Sequence, residues 1–144
     1  MKNNVLINIK GVQTIDNQKD TTELFTTGDI YFKNNKTYIT YLESEVTGYE
    51  NCRTTLKIDG SNRMTLMRSG KNPSHLIMKL GRKNTGVYGT PYGQLEVGIS
   101  ASNIEHDLDE AGGRFYCKYN LDINSNLVST HEIFIDVKQN EAKS

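Results

Sequence analysis

Along most of the chain the apolar residues recur at every second position. This is the spacing that puts alternate side chains on opposite faces of an extended strand, not on one stripe of a helix. Val5, Ile7 and Ile9 alternate in the first such segment, and Thr54, Leu56 and Ile58 alternate against Arg53, Thr55, Lys57 and Asp59 in the fourth. Leu95, Val97, Ile99 and Ala101 alternate against Gln94, Glu96, Gly98 and Ser100, as do Phe115, Cys117, Tyr119, Leu121 and Ile123 against Arg114, Tyr116, Lys118, Asn120 and Asp122. The pattern predicts strands near 4–14, 21–33, 36–46, 53–59, 62–69, 75–83, 93–104, 113–123 and 126–138. The breaks carry residues that tolerate positive φ or preset a turn: Asn34 with Asn35, Asp59 to Asn62, Asn72 with Pro73, Ala111 to Gly113, and Asn124 to Asn126. Gly28 interrupts the second segment, which suggests a bulge or corner. A single helical turn is expected around Asn103 to Glu110.

An all-β meander of this length cannot stay flat, because twist accumulates and open edges invite pairing with other chains. The expected architecture is therefore a single antiparallel, mostly up-and-down β-barrel of about eight to ten strands, favoured by short hairpin links and few prolines. The same alternation is compatible with a Greek-key sandwich. The chain of 144 residues suits one domain, taken as 1–138, followed by the polar tail "QNEAKS" at 139–144.

Composition narrows the function classes. Seventeen basic residues balance seventeen acidic ones, so the overall field that would attract nucleic acid or an anionic membrane is missing. Basic residues gather in "RMTLMRSGKNPSHLIMKLGRK", but no aromatics are interleaved for base stacking, and a solvated outer face accounts for them better. No segment has the run of about 18 apolar residues that a membrane-spanning helix needs. The N-terminus lacks the apolar stretch of a secretory signal, and Cys52 and Cys117 are too few for a disulfide framework, so a cytoplasmic setting is expected.

Signals for catalysis are sparse. The chain has no glycine-rich phosphate loop, Cys-x-x-Cys, His-Glu-x-x-His or nucleophile elbow, and no motif calls for a cofactor. His75, His106 and His131 stand on separate segments and define no metal site. "EHDLDE", residues 105–110, clusters acids without the alternation of a calcium loop and reads as a polar connector.

Arg68 stands apart from the other basic residues because it shares the inward phase of Met64 and Leu66. An inward guanidinium cannot be neutralised by losing a proton and needs a partner. Glu43 and Glu45, in phase with Ile39 and Tyr41, are the candidates. Such a pair either pins the strand register or offers a charged contact to a ligand inside the barrel. In "VYGTPYG", Pro91 presets a turn and Gly93 can take positive φ, leaving Tyr88 and Tyr92 either to plug a barrel mouth or to face a ligand.

Four stretches together resemble the YwiB-like family of small bacterial proteins of unknown function. They are "YITYLESEVTGYENCRTTLKI", "MTLMRSG", "VYGTPYG" and "GGRFYCKYNLDIN", in that order. The resemblance implies a lipocalin-like (calycin-like) β-barrel in a cytoplasmic setting and carries over no catalytic residue. Barrels of this class often enclose cavities, so the leading expectation is a non-catalytic binder of a small molecule of unknown identity. Its ligand would sit in the interior or mouth, contacted by Arg68, Glu43, Tyr88 and Tyr92. A protein-interaction module or homodimer is the alternative, and an enzyme acting through Arg68 and Glu43 is a third reading. Neither nucleic acid nor membrane is expected as a partner.

Overall fold

A computed structural model describes residues 4–44, 49–71, 73–90, 93–124 and 126–140. Ten antiparallel strands follow one another in chain order: β1 (Val5–Ile15), β2 (Gln18–Lys33), β3 (Lys36–Leu42), β4 (Arg53–Asp59), β5 (Arg63–Ser69), β6 (Ser74–Lys79), β7 (Lys83–Thr90), β8 (Gly93–His106), β9 (Gly112–Ile123) and β10 (Asn126–Gln139). Each strand pairs with its neighbours in sequence, and β1 closes the circle against β10. The up-and-down barrel expected from the alternation is the architecture found, and the sandwich is not. Among the described residues no helix is long and apolar enough to cross a membrane.

Closure turns one face of every strand inward. β4 shows this directly: Thr54, Leu56 and Ile58 are buried while Arg53, Thr55, Lys57 and Asp59 are not. Val5, Ile7, Ile39, Met64, Leu76, Met78, Ile99 and Phe115 fill the interior at almost no exposure. A pair of close backbone approaches explains two glycines. β2 outlasts its neighbours, and Gly28 is the residue that pairs with both Val5 of β1 and Tyr41 of β3. A Cβ there would collide with the Thr40 carbonyl oxygen and the Ile7 side chain, so Gly28 is required by packing at the point where β3 joins β2.

The structure corrects the sequence reading in three places. β7 was not among the expected strands, because its inward positions are Asn84, Gly86 and the half-buried Tyr88, while Val87 points outward. A Cβ on Gly86 would sit 2.9 Å from both the His75 carbonyl oxygen and a Leu76 methyl, so this position cannot carry the aliphatic side chain that would have marked the strand. The expected helical turn at Asn103 to Glu110 is instead the end of β8 and a short connector. There the Asp107 carboxylate accepts from the Arg114 amide at 2.7 Å and the Asp109 carboxylate from the Ala111 amide at 2.8 Å, which satisfies the turn from β8 into β9 without a helix. Leu95, expected to face inward, is 44 % exposed near the β7–β8 turn.

Cys52 and Cys117 are free thiols, both buried. Cys117 lies against Met78 at 3.9 Å, and burial pushes its pKa up to about 12. Because only a thiolate attacks a disulfide reagent, Cys117 is expected to stay unreactive in the native protein. Both thiols should react in denaturant without prior reduction. Recovery of a Cys52 to Cys117 bridge from non-reducing peptide mapping would contradict this.

Candidate functional site

Strand register brings the inward polar residues together at one end of the barrel. Tyr41 of β3 stands opposite Thr54 of β4, Thr54 opposite Arg68 of β5, and Arg68 opposite Ser74 of β6. One row around the barrel is thus polar, where the rows below it are Ile39, Leu56, Leu66 and Leu76. Glu43 follows Tyr41 by two residues on the same face, and its amide is tied to the Cys52 carbonyl at 2.8 Å.

Arg68 and Glu43 form the ion pair expected from their phase. Arg68 Nη2 donates to Glu43 Oε2 at 3.2 Å, and the two side chains are 11 % and 3 % exposed. Thr54 sits between them: its hydroxyl donates to Glu43 Oε2 at 2.5 Å and accepts from Arg68 Nε at 3.1 Å. Glu45, the other proposed partner, lies outside the described residues. The guanidinium carbon stacks 3.8 Å from the centroid of the Tyr49 ring, whose hydroxyl donates to the Gly89 carbonyl at 3.1 Å. Tyr49 thereby ties the β3–β4 connection across to β7.

Across the barrel, Tyr119 of β9 is directly opposite His131 of β10, and their rings stack with centroids 4.9 Å apart. The Ser129 hydroxyl and His131 Nε2 share a 2.8 Å hydrogen bond. Burial lowers the His131 pKa to about 4, so its imidazole is neutral near pH 7. Tyr41, Tyr49 and Tyr119 are pushed upward, by burial first and then, for Tyr41, by the Glu43 charge. They remain protonated phenols, able to donate as well as accept.

These groups surround a cavity of about 190 Å³ opening at this end of the barrel. Arg68, Glu43, Tyr41, Tyr49, Tyr88, Tyr119 and His131 line it, with Leu56, Leu66 and Leu76 behind them. Of the four residues singled out from the sequence, Arg68, Glu43 and Tyr88 therefore meet at one cavity. Tyr92 lies outside the described residues. On either side of it Thr90 pairs with Gly93, and Gly93 takes the positive φ, 119°, that the sequence reading allowed it.

Thr54, Tyr41, Tyr119 and His131 were not singled out. Each shares the inward phase of buried neighbours, Thr54 with Leu56 and Tyr119 with Cys117 and Leu121, so a search for polar residues in the apolar phase would have found them. Tyr49 comes from a connection without periodicity, and no local signal marks it. Among the described residues no group of three or more His, Cys, Asp or Glu side chains is placed to hold a metal ion.

The barrel has a solved counterpart. The crystal structure of the YwiB protein from Bacillus subtilis superposes with a TM-score of 0.81 at 27 % identity, over 94 % of this chain and 90 % of that one. In sequence, the uncharacterised β-barrel protein YwiB of Bacillus subtilis strain 168 is 28 % identical over 131 residues, 91 % of this chain and 90 % of that protein. The model of a domain of unknown function, DUF1934, matches residues 7–135, which include β2 to β9 whole, most of β1 and β10, and every cavity residue named above. The chain belongs to the DUF1934 family of β-barrel proteins, whose function is uncharacterised.

Proposed function

We propose that the protein binds a small polar molecule in the mouth of the barrel without transforming it. The observation that carries this reading is the cavity itself: a row of inward side chains that closes with aliphatics elsewhere is here occupied by an arginine, a glutamate, tyrosines and a histidine around open space. Such convergence of a few polar groups on an otherwise apolar concavity is the usual composition of a ligand site. At about 190 Å³ the space falls below the roughly 300–1,000 Å³ of sites that hold drug-sized ligands, which points to a molecule of few heavy atoms. Arg68 supplies a cation, Glu43 an acceptor, and the protonated phenols hydrogen bonds of either sense. The aromatic faces suit a planar ligand. A non-catalytic role fits the chemistry: the Thr54 hydroxyl is engaged by both Glu43 and Arg68, and the Ser129 hydroxyl beside His131 is buried and does not line the cavity.

The test is a ¹H–¹⁵N NMR titration of the protein with small carboxylates, amides and ureas. Saturable shifts concentrated on Glu43, Tyr49, Arg68, Tyr88, Tyr119 and His131 are expected for at least one of these classes, and Tyr88→Ala should weaken that binding about tenfold, as loss of an aromatic contact does. Shifts scattered over the outer surface, or none at millimolar ligand, would refute the cavity as a binding site.

A further inference from the structure

The outer faces of β2 to β6 carry charges that their own register sets against one another. At the end of the barrel opposite the cavity, Lys33 of β2 stands opposite Lys36 of β3, and Arg63 of β5 opposite Lys79 of β6. Like charges directly opposed across a strand pair cost stability, and an anion shared between them reverses that cost. Asp59, opposite Arg63 on β4, is the one carboxylate among these paired positions. The turn after β6 adds Arg82, bridged to Lys79. That turn is held by the Leu80 amide, which donates to the Asn62 carbonyl at 3.0 Å, and by the Gly81 amide, which donates to the Ala101 carbonyl at 3.3 Å. Asp59, Asn62, Arg63, Lys79, Leu80 and Arg82 surround a hollow of about 360 Å³, so its rim bears three cations and one carboxylate. Seventeen basic residues balance seventeen acidic ones over the whole chain, which makes this excess local.

The next outer row toward the cavity runs through Tyr31, Tyr38, Lys57, Thr65 and Ile77 on the same five strands. Tyr31 and Tyr38 stack with centroids 4.9 Å apart and planes within 6° of parallel, and Tyr31 is 44 % exposed. Each stacked ring keeps a second face for a further planar group. The basic stretch at 63–83 has no aromatics of its own, and the strand register supplies them from β2 and β3. The geometry points to single-stranded nucleic acid as the ligand of this surface, with phosphates in the hollow and along Lys33, Lys36 and Lys57 and bases stacked on the tyrosines. The two rows lie about 7 Å apart and the five strands span about 19 Å, room for a few nucleotides. A duplex suits the surface less, because its bases are already stacked and closed to the rings. An acidic protein would use the cations and leave the ring faces without a partner.

Fluorescence anisotropy of labelled oligouridylate and oligothymidylate of about ten nucleotides, set against a DNA duplex of the same length, tests this. Both single strands should bind with dissociation constants of about 1–100 μM at about 50 mM salt, more tightly than the duplex. Lys79→Ala should weaken both alike and make the slope of log affinity against log salt shallower by about 0.7, the value for one phosphate contact on a single strand. Tyr31→Ala should weaken binding about tenfold with that slope unchanged, and Tyr31→Leu, which keeps apolar cover on the sheet but offers no ring, should do the same. Arg114→Ala, on the outer face of β9, should alter neither affinity nor slope. Circular dichroism reports whether each variant keeps its fold. An absence of binding at about 100 μM protein overturns the proposal, and so does a duplex bound as tightly as the single strands. Binding that the Lys79 and Tyr31 variants leave unchanged overturns it as well, because the nucleic acid would then lie elsewhere on the barrel.

Discussion

Replacing Arg68 by alanine is expected to lower the unfolding free energy by about 3–5 kcal/mol, the range for removing one side of a buried pair. The reason lies less in the lost attraction than in what is left behind. Glu43, 3 % exposed in its side chain, would keep its charge in the interior with the opposing guanidinium gone. Arg68→Met combined with Glu43→Leu removes both charges at similar volume and should recover much of the loss, since apolar replacement of a buried pair is often neutral or better. The recovery stops short by about 1 kcal/mol, because the Thr54 hydroxyl, which donates to one partner and accepts from the other, then loses both and keeps the Tyr41 hydroxyl as its neighbour. Adding Thr54→Val should close most of that gap. Urea unfolding of the wild type and the three variants measures each step. An Arg68→Ala variant within about 1 kcal/mol of wild type would show that the guanidinium is effectively solvated in the mouth and that the pair does not hold the strands in register.

The same residues show how far the sequence could be read. Period-two alternation was sufficient for the barrel because closure gives every strand one wet and one dry face, and that alternation survives wherever the inner face is aliphatic. It failed at β7, where Gly86 is held small by the backbone of β6 and the inward face carries no aliphatic residue. It also failed at the connector after His106, where acids that resemble a helix start satisfy backbone amides of a turn. The Arg68–Glu43 pair was legible since a charge in an apolar phase is a local anomaly that demands a partner. The other half of the site was not. Tyr119 and His131 meet because β9 and β10 pair in a particular register, and Tyr49 reaches Arg68 from a connection whose path no periodicity encodes.

That register gives the site a dependence on pH. His131 has a pKa of about 4 in the folded protein against an ordinary value of 6.5, and burial is the cause. Between those two values the unfolded chain binds more protons than the folded one, so stability rises with pH across the window. The contribution of His131 is complete above about pH 6.5, is lost progressively as the pH falls toward 4, and amounts to something on the order of 3 kcal/mol. Carboxylates elsewhere also titrate at the lower end, so the informative quantity is the difference from a variant. His131→Phe keeps a ring to stack on Tyr119 and removes the titrating group. The wild type should lose stability relative to this variant steadily from pH 6.5 to 4, while above pH 6.5 the difference should stay constant. It then reflects only the missing hydrogen bond to Ser129 and the altered packing. A difference that is flat from pH 7 to 4, or a His131 imidazole resonance titrating near 6.5, would mean that the ring is hydrated by the open mouth of the barrel instead of held in its wall.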